Sequence, residues 1–376
     1  MDFTRRGLFG AASLSAAALA VAVPEANAIP KKGAKHEPLQ NFKFDIENSE
    51  GWVGEGGSAR QATVEELPVS ESIAGVSMRL KPGGLRELHW HAIAAEWAYV
   101  IQGHVRGTVI VPNGQAESAD FGPGDVWYFP KGHSHAVQCL GPEDAHFILV
   151  FDDGHFSEFG TFSITDWISK TDPTVASKNL GLSPEVISRI PKGEMYIGLG
   201  KVPPRVPENL RNGDPNTNQF PHKFRLGEVQ PHVHAGGEIR IVSSKEFPIQ
   251  TALTGALQDL KPGAIREMHW HPNADEWQYY IKGRARVTIF GAHGRVATEE
   301  FGPGHVAFIK QGFGHHVEQI GSEPTRFLAM FNSPVYEEIS LSTWLAANPP
   351  SMVADNLGLS LSEVEKLPKR ALGIIG

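Results

Sequence analysis

Four residues of matching type and spacing occur twice in this 376-residue chain. His89, His91 and Glu96 are followed by His135; His269, His271 and Glu276 are followed by His315. Each member of the first set stands 180 positions before its counterpart, and so do its neighbours. Arg86-Glu87-Leu88-His89-Trp90-His91 matches Arg266-Glu267-Met268-His269-Trp270-His271, and Phe121-Gly122-Pro123-Gly124 matches Phe301-Gly302-Pro303-Gly304. A constant offset over unlike residues marks a duplicated domain. Three imidazoles and a carboxylate are donors that hold a divalent transition metal. A lone histidine is more often a satisfied core or surface group, but that reading must account for the same four types twice.

These side chains converge only if the chain places them on strands. Alternation along a strand puts His89 and His91 on one face and Trp90 on the other. The run from Glu96 to Ile101 is β-branched and aromatic and ends at Gly103, which reads as a second strand. His135 opens a third run, through Cys139. Glu96 then faces the two histidines across a short connection. The chain's 40 glycines and 27 prolines supply the turns of an all-β architecture. Helical stretches are expected at 164–169 and 183–189, and again at 341–346 and 361–367. His232-Val233-His234 lacks the Glu and the third His, and reads as a surface strand or turn.

The rest of the chain narrows the function classes. Residues 1–28 read as a signal peptide of the twin-arginine type: Arg5-Arg6, an apolar small-residue run from Ala11 to Val23, then Ala26-Asn27-Ala28 as the cleavage site. The run is too short for a transmembrane helix. An exported protein, periplasmic or secreted, with no membrane insertion after leader cleavage, is the expectation. Residues 29–65 read as an N-terminal arm, 66–194 as the first domain, 195–230 as a linker and 231–376 as the second. A net charge of −8 without a basic cluster argues against nucleic acid as a partner. Cys139 is the only cysteine, so no intramolecular disulfide forms, and its strand context points to core packing.

The motifs resemble those of the cupin family: a Gly before His-x-His, then Glu and Gly, and later a Gly-led segment ending in His. They run from Gly83 to Gly103 and Gly124 to His135, then from Gly263 to Gly283 and Gly304 to His315. The one lapse is Lys310, where the first half has Pro130. Arg-Glu-Leu-His-Trp-His and Asp-Glu-Trp-Gln-Tyr-Tyr-Ile resemble the bicupin oxalate decarboxylases in particular. That resemblance implies two tandem jelly-roll (double-stranded β-helix) cupin barrels with short flanking helices. It implies Mn(2+), two per chain, although this ligand set suits Fe, Zn, Ni or Co nearly as well. It also implies dioxygen as co-catalyst, oxalate as substrate, formate and CO2 as products, and a homo-oligomer, trimer or hexamer. Arg86 would bind and polarise the substrate.

The halves differ in one informative place. Phe151 matches Phe331 at offset 180, but Trp167 matches Trp344 at offset 177, so the first half carries three extra residues between them. That interval holds Ser157-Glu158-Phe159-Gly160-Thr161. Loops that differ between matched scaffolds commonly carry function, and a glycine can serve as a hinge. A loop glutamate on its own is ordinarily a solvated group. In the family this loop is a lid reading Ser-Glu-x-x-Thr whose Glu transfers the proton, which places that role on Glu158. The family's second acid, fourteen residues past the last ligand histidine, falls on Ala329, so the second site is expected to be structural or vestigial. The alternatives are an oxalate oxidase giving CO2 and hydrogen peroxide, which Glu158 argues against, and a non-catalytic metabolite-binding or storage bicupin, which two complete ligand sets argue against.

Overall fold

The computed structural model describes residues 37–204 and 221–376. The leader and most of the expected linker lie outside the described residues. Among the described residues four antiparallel sheets form two barrels. In the first barrel one sheet runs in the order Lys223–Arg225, Asp125–Phe129, Glu96–Gln102, Ala145–Phe151, Ala74–Leu80, Gly57–Ala62, Trp52–Gly54. The facing sheet runs Phe162–Ser163, Gly84–Trp90, His135–Cys139, Val105–Ile110, Ala116–Phe121, and Ile197–Leu199 also pairs with Gly84–Trp90. The second barrel repeats this order, with Lys43–Asp45 in the place of Lys223–Arg225.

The stretch read as an arm therefore divides. Lys43–Asp45 pairs with His305–Ile309 of the second barrel, whereas Trp52–Gly54 and Gly57–Ala62 complete a sheet of the first. The described ends of the linker, Ile197–Leu199 and Lys223–Arg225, both pair with first-barrel strands. Short polar strands such as Lys43–Asp45 bury little apolar surface of their own, so periodicity does not reveal them.

Strand alternation fills two cores. On Glu96–Gln102, Ala98 and Val100 point into the first barrel, and Trp97 and Tyr99 point toward the second. Trp97 and Trp277 cross between the barrels and are both fully buried. Each lies against a glycine of the opposite barrel. A Cβ at Gly255 would stand 2.5 Å from the Trp97 ring, and one at Gly75 would stand 2.1 Å from the Trp277 ring. No other residue allows an indole to lie that close to the backbone. Trp97 Nε1 also donates to Gln250 Oε1 at 2.8 Å across the domain boundary.

Cys139 is fully buried, and His232–His234 is a strand at the edge of the second barrel's sheet, as expected. The helices Ile164–Lys170, Pro184–Ile187, Leu341–Ala347 and Leu361–Val364 fall where they were expected. Pro173–Leu180 and Pro350–Leu357 were not anticipated. Their signal was local: Asp172 caps Thr174 and Val175, proline opens each helix, and Gly181 and Gly358 close them with left-handed φ values of 66° and 68°.

Candidate metal centres and active site

The first centre assembles where Gly84–Trp90 meets His135–Cys139. His89 and His135 lie directly opposite in the register, and the chain turns after His91 so that Glu96 begins the adjoining sheet. His89 Nδ1–H donates to Glu87 O at 2.6 Å and His135 Nδ1–H to His133 O at 2.8 Å. These bonds to main-chain carbonyls fix the tautomer and turn each Nε2 inward. All four side chains are buried, and their ligand atoms lie within 4.8 Å of one another. Among the described residues His89 Nε2 has no hydrogen-bond partner, while His135 Nε2 faces Glu96 Oε2 at 3.2 Å and His91 Nδ1 lies 3.7 Å from the same oxygen. A buried polar atom left bare is costly, and here the ligand atoms converge on one point, which fits a bound cation. Burial, with Arg86 adding to it, holds the His89 imidazole well below its usual pKa and therefore neutral, the form that binds metal.

The second centre is built alike. His269, His271, Glu276 and His315 are buried, with ligand atoms again within 4.8 Å. His269 Nδ1–H donates to Glu267 O at 2.6 Å, His271 Nδ1–H to Glu337 O at 2.7 Å, and His315 Nδ1–H to Phe313 O at 3.0 Å. His271 Nε2 and His315 Nε2 lie 3.2 and 2.9 Å from Glu276 Oε2, so these ligand atoms too crowd around one point. The carboxylate supports differ. Trp127 Nε1 donates to Glu96 Oε1 at 2.6 Å in the first centre. In the second, Gln278 Nε2 donates to Glu276 Oε1 at 2.8 Å, and Gln278 is itself held by Tyr280 OH at 2.7 Å.

Glu158 lies over the first set of ligands. It opens a short 3-10 turn, Glu158–Gly160, capped by Ser157, and is 1% exposed. Its Oε1 accepts from Arg86 Nε at 2.7 Å, and its Oε2 lies 3.3 Å from His91 Nε2. Burial alone would raise its pKa, but Arg86 and His91 outweigh burial and bring it down to about 2. Arg86, itself 1% exposed, also donates to Thr161 Oγ1 at 2.8 Å and stacks on Tyr196 at 4.2 Å. The structure thus brings together all six residues expected at this site.

Two features escaped the sequence reading. Tyr196 holds a left-handed φ of 57° and caps Arg86; its counterpart by register, Gly373, has a φ of 66°. Glycine adopts this conformation freely, whereas tyrosine is strained in it, and such strain clusters at functional sites. The second half also has an acid after all. Ala329 is a buried strand residue, but Glu338 accepts from Arg266 Nη2 and from Tyr336 OH. Ser163 opposite His89 and Ser340 opposite His269 put Glu338 in Thr161's place, not Glu158's. Arg266 Nε, the counterpart of the atom that holds Glu158, has no partner among the described residues. A fixed count from His315 missed Glu338; a count from Glu158 at the repeat offset of 180 reaches it.

The family model described as Cupin matches residues 48–188 and 224–365. The chain is 42% identical over 334 residues to an oxalate decarboxylase of Bacillus subtilis, covering 89% of this chain and 86% of that protein. It is 32% identical over 340 residues to a probable oxalate decarboxylase of Arthroderma benhamiae, covering 90% and 83%. The fold matches a structure solved in work on the Mn(II) centres of the B. subtilis oxalate decarboxylase, with a TM-score of 0.84, 41% identity and 90% of both chains covered.

Proposed function

Because the chain belongs to the cupin family, and within it to the two-barrel oxalate decarboxylases, we propose that it converts oxalate to formate and CO2 at the first centre, with manganese as its metal. The observation that carries this reading is Glu158, buried and ionised on Arg86 beside His91. In the reaction the oxalate C–C bond breaks, one carbon leaves as CO2, and the other gains a C–H bond from one proton. His89, His91, Glu96 and His135 would hold the metal, and its contribution is a Lewis acid for one carboxylate and, with dioxygen, one-electron chemistry that loosens the C–C bond.

The chain's own residues handle charge and protons. Arg86 Nε–H now holds Glu158, and it is the donor best placed for the substrate carboxylate farther from the metal. Substrate and Glu158 compete for it, so the segment 157–161 must open for oxalate and close behind it as a lid. Displaced from Arg86, Glu158 loses what keeps its carboxyl acidic; it takes the substrate proton and returns one to carbon. Closure keeps water and stray oxidant from the intermediate.

The second centre binds a metal in a structural role, since its acid, Glu338, sits on Arg266 Nη2 and no carboxylate among the described residues is held on Nε as Glu158 is on Arg86. The leader motif supports export, and the resemblance to decarboxylases supports a homo-oligomer, trimer or hexamer.

The test is Glu158→Gln in manganese-loaded protein, with formate and peroxide assayed together. Formate output should fall about a hundredfold, the usual weight of a positioned acid, and the peroxide share should rise. Unchanged formate would remove Glu158 from the mechanism. Peroxide as the main product of the unaltered protein would make it an oxidase.

A further inference from the structure

The segment over the first centre is held at both ends by side chains that do not belong to it. Ser157 Oγ donates to Gln61 Oε1 at 3.0 Å, and Gln61, on strand Gly57–Ala62, is 6% exposed. Thr161 Oγ1 donates to Glu194 Oε1 at 3.2 Å while accepting from Arg86 Nη2 at 2.8 Å. Between the two ends Phe159 stands edge-on to Tyr196 at 5.6 Å, and Gly160 has open space around its Cα.

The second half is an internal control. Gln61 lies opposite Val76 and Ile241 opposite Ala256, so Ile241 takes Gln61's place. Ile197 lies opposite Arg86 and Ile374 opposite Arg266, so Ala371 takes the place of Glu194. The surroundings of Gln61 are otherwise kept. Thr63 N donates to Glu66 Oε2 at 2.8 Å, and Ser243 N donates to Glu246 Oε2 at 3.0 Å in the matching turn. The half without the extra residues therefore lacks both acceptors, on scaffolds that are otherwise alike. A generic structural role would leave a polar residue in each half.

We propose that Gln61 and Glu194 are positioning residues for the first centre: they take the hydroxyls at the two ends of the segment and hold Glu158 over the ligands. Neither touches a metal ligand in the contacts described above. They act through Glu158 and, for Glu194, whose Oε1 also lies 3.9 Å from Arg86 Nη1, through that arginine, by setting how long the closed arrangement lasts relative to escape of the intermediate to dioxygen. This deepens the decarboxylase reading and rests on it for the product arm of the test alone.

The experiment compares Gln61→Ile, Glu194→Ala, the double variant and Glu194→Gln in full-length, manganese-loaded protein. The first two write in residues that the second barrel already accommodates at the same register, so both variants should fold. Amide hydrogen exchange of the 157–161 peptide should run about fivefold faster in each, the weight of one hydrogen bond, and faster still in the double. Barrel peptides and metal content should not change. The ratio of formate to peroxide should fall several-fold, with kcat affected more than KM, and Glu194→Gln, which keeps an acceptor, should restore both readouts. Unchanged exchange in the double variant overturns the anchoring whatever the products. Faster exchange with an unchanged product ratio overturns the positioning role. If the unaltered protein makes no formate, the decarboxylase reading falls, and lid exchange alone decides the anchoring.

Discussion

Arg86 and Arg266 occupy the same register on matched strands, each buried beside three histidines and a glutamate, yet their guanidinium groups are employed differently. Arg86 gives Nε to Glu158 and so aims a carboxylate at His91. Arg266 gives Nη2 to Glu338 and to Tyr336 OH, and its Nε faces no acceptor among the described residues. Metal ligation constrains both halves alike, because a centre of this kind tolerates little variation in donor type or reach. What covers the open side is set by loop length. Three more residues let a carboxylate cross from the rim to the ligands; without them it stays on the outer edge of the arginine. Duplication kept the metal ligands in both halves, and the proposed proton chemistry falls to one.

The sharpest way to break this comparison is to empty the centres one at a time. His89→Ala and His269→Ala should each leave one metal of two, read by elemental analysis of protein expressed with added manganese. His89→Ala should bring turnover to background. His269→Ala should spare turnover in the fraction that folds while lowering stability, because a structural site couples metal binding to folding. If activity follows the second centre and survives loss of the first, then the asymmetry has been assigned to the wrong half.

A smaller effect should come from the groups that hold the ligand carboxylates. Trp127→Phe leaves Glu96 Oε1 without its 2.6 Å donor, and Gln278→Leu does the same to Glu276 Oε1. Loss of such a partner typically costs about 10- to 100-fold in metal affinity. Competition with a chelator should show weakening confined to the centre altered. Activity should follow occupancy after Trp127→Phe and stay level after Gln278→Leu. Equal losses at both centres from either variant would mean that the two sites are not independent.

The ligands were legible because each leaves a mark that spacing can carry. Two histidines one residue apart share a strand face, and the same four types recur at one offset. Glu158 was legible through the length difference between the halves and through the family resemblance. Tyr196 was not: its role depends on a left-handed backbone and on a contact 110 residues distant from Arg86. Glu338 was hidden because the acid sits where the first half has Thr161, whereas the fixed count from His315 ended on Ala329 in the strand Thr325–Phe331. The crossing of Lys43–Asp45 to the second barrel was hidden too, since three half-buried residues carry no periodic signal.

The smallest predicted effect compares the two polar clusters between the barrels. On one side Arg326 donates twice to Asp259, at 2.7 and 2.9 Å, so the pair neutralises itself. The matching positions on the other side are Arg79 and His146, adjacent across strands, with no acid between them. Glu47, just past Lys43–Asp45, supplies it. Its carboxylate accepts from Ser77 Oγ and from Arg79 Nη1, each at 2.5 Å, and from Tyr279 OH of the second barrel at 2.8 Å. Burial alone would raise the Glu47 pKa, but His146, Ser77 and Arg79 together hold it far below the ordinary 4.5. Burial likewise keeps His146 below its ordinary 6.5. In both cases the unfolded chain binds the proton more readily, so the stabilisation is complete above the ordinary value and is lost as pH falls below it. Glu47→Gln should therefore lower Tm by about 2 °C at pH 7, the scale of roughly 1 kcal/mol in a large chain. That gap should close progressively below pH 4.5, where the parent's carboxylate gives up its advantage. Measuring parent and variant side by side cancels the acid lability that both share through their metal-binding imidazoles. A gap that stays constant from neutral pH to below 4.5 would show that the Glu47 charge does not join the barrels.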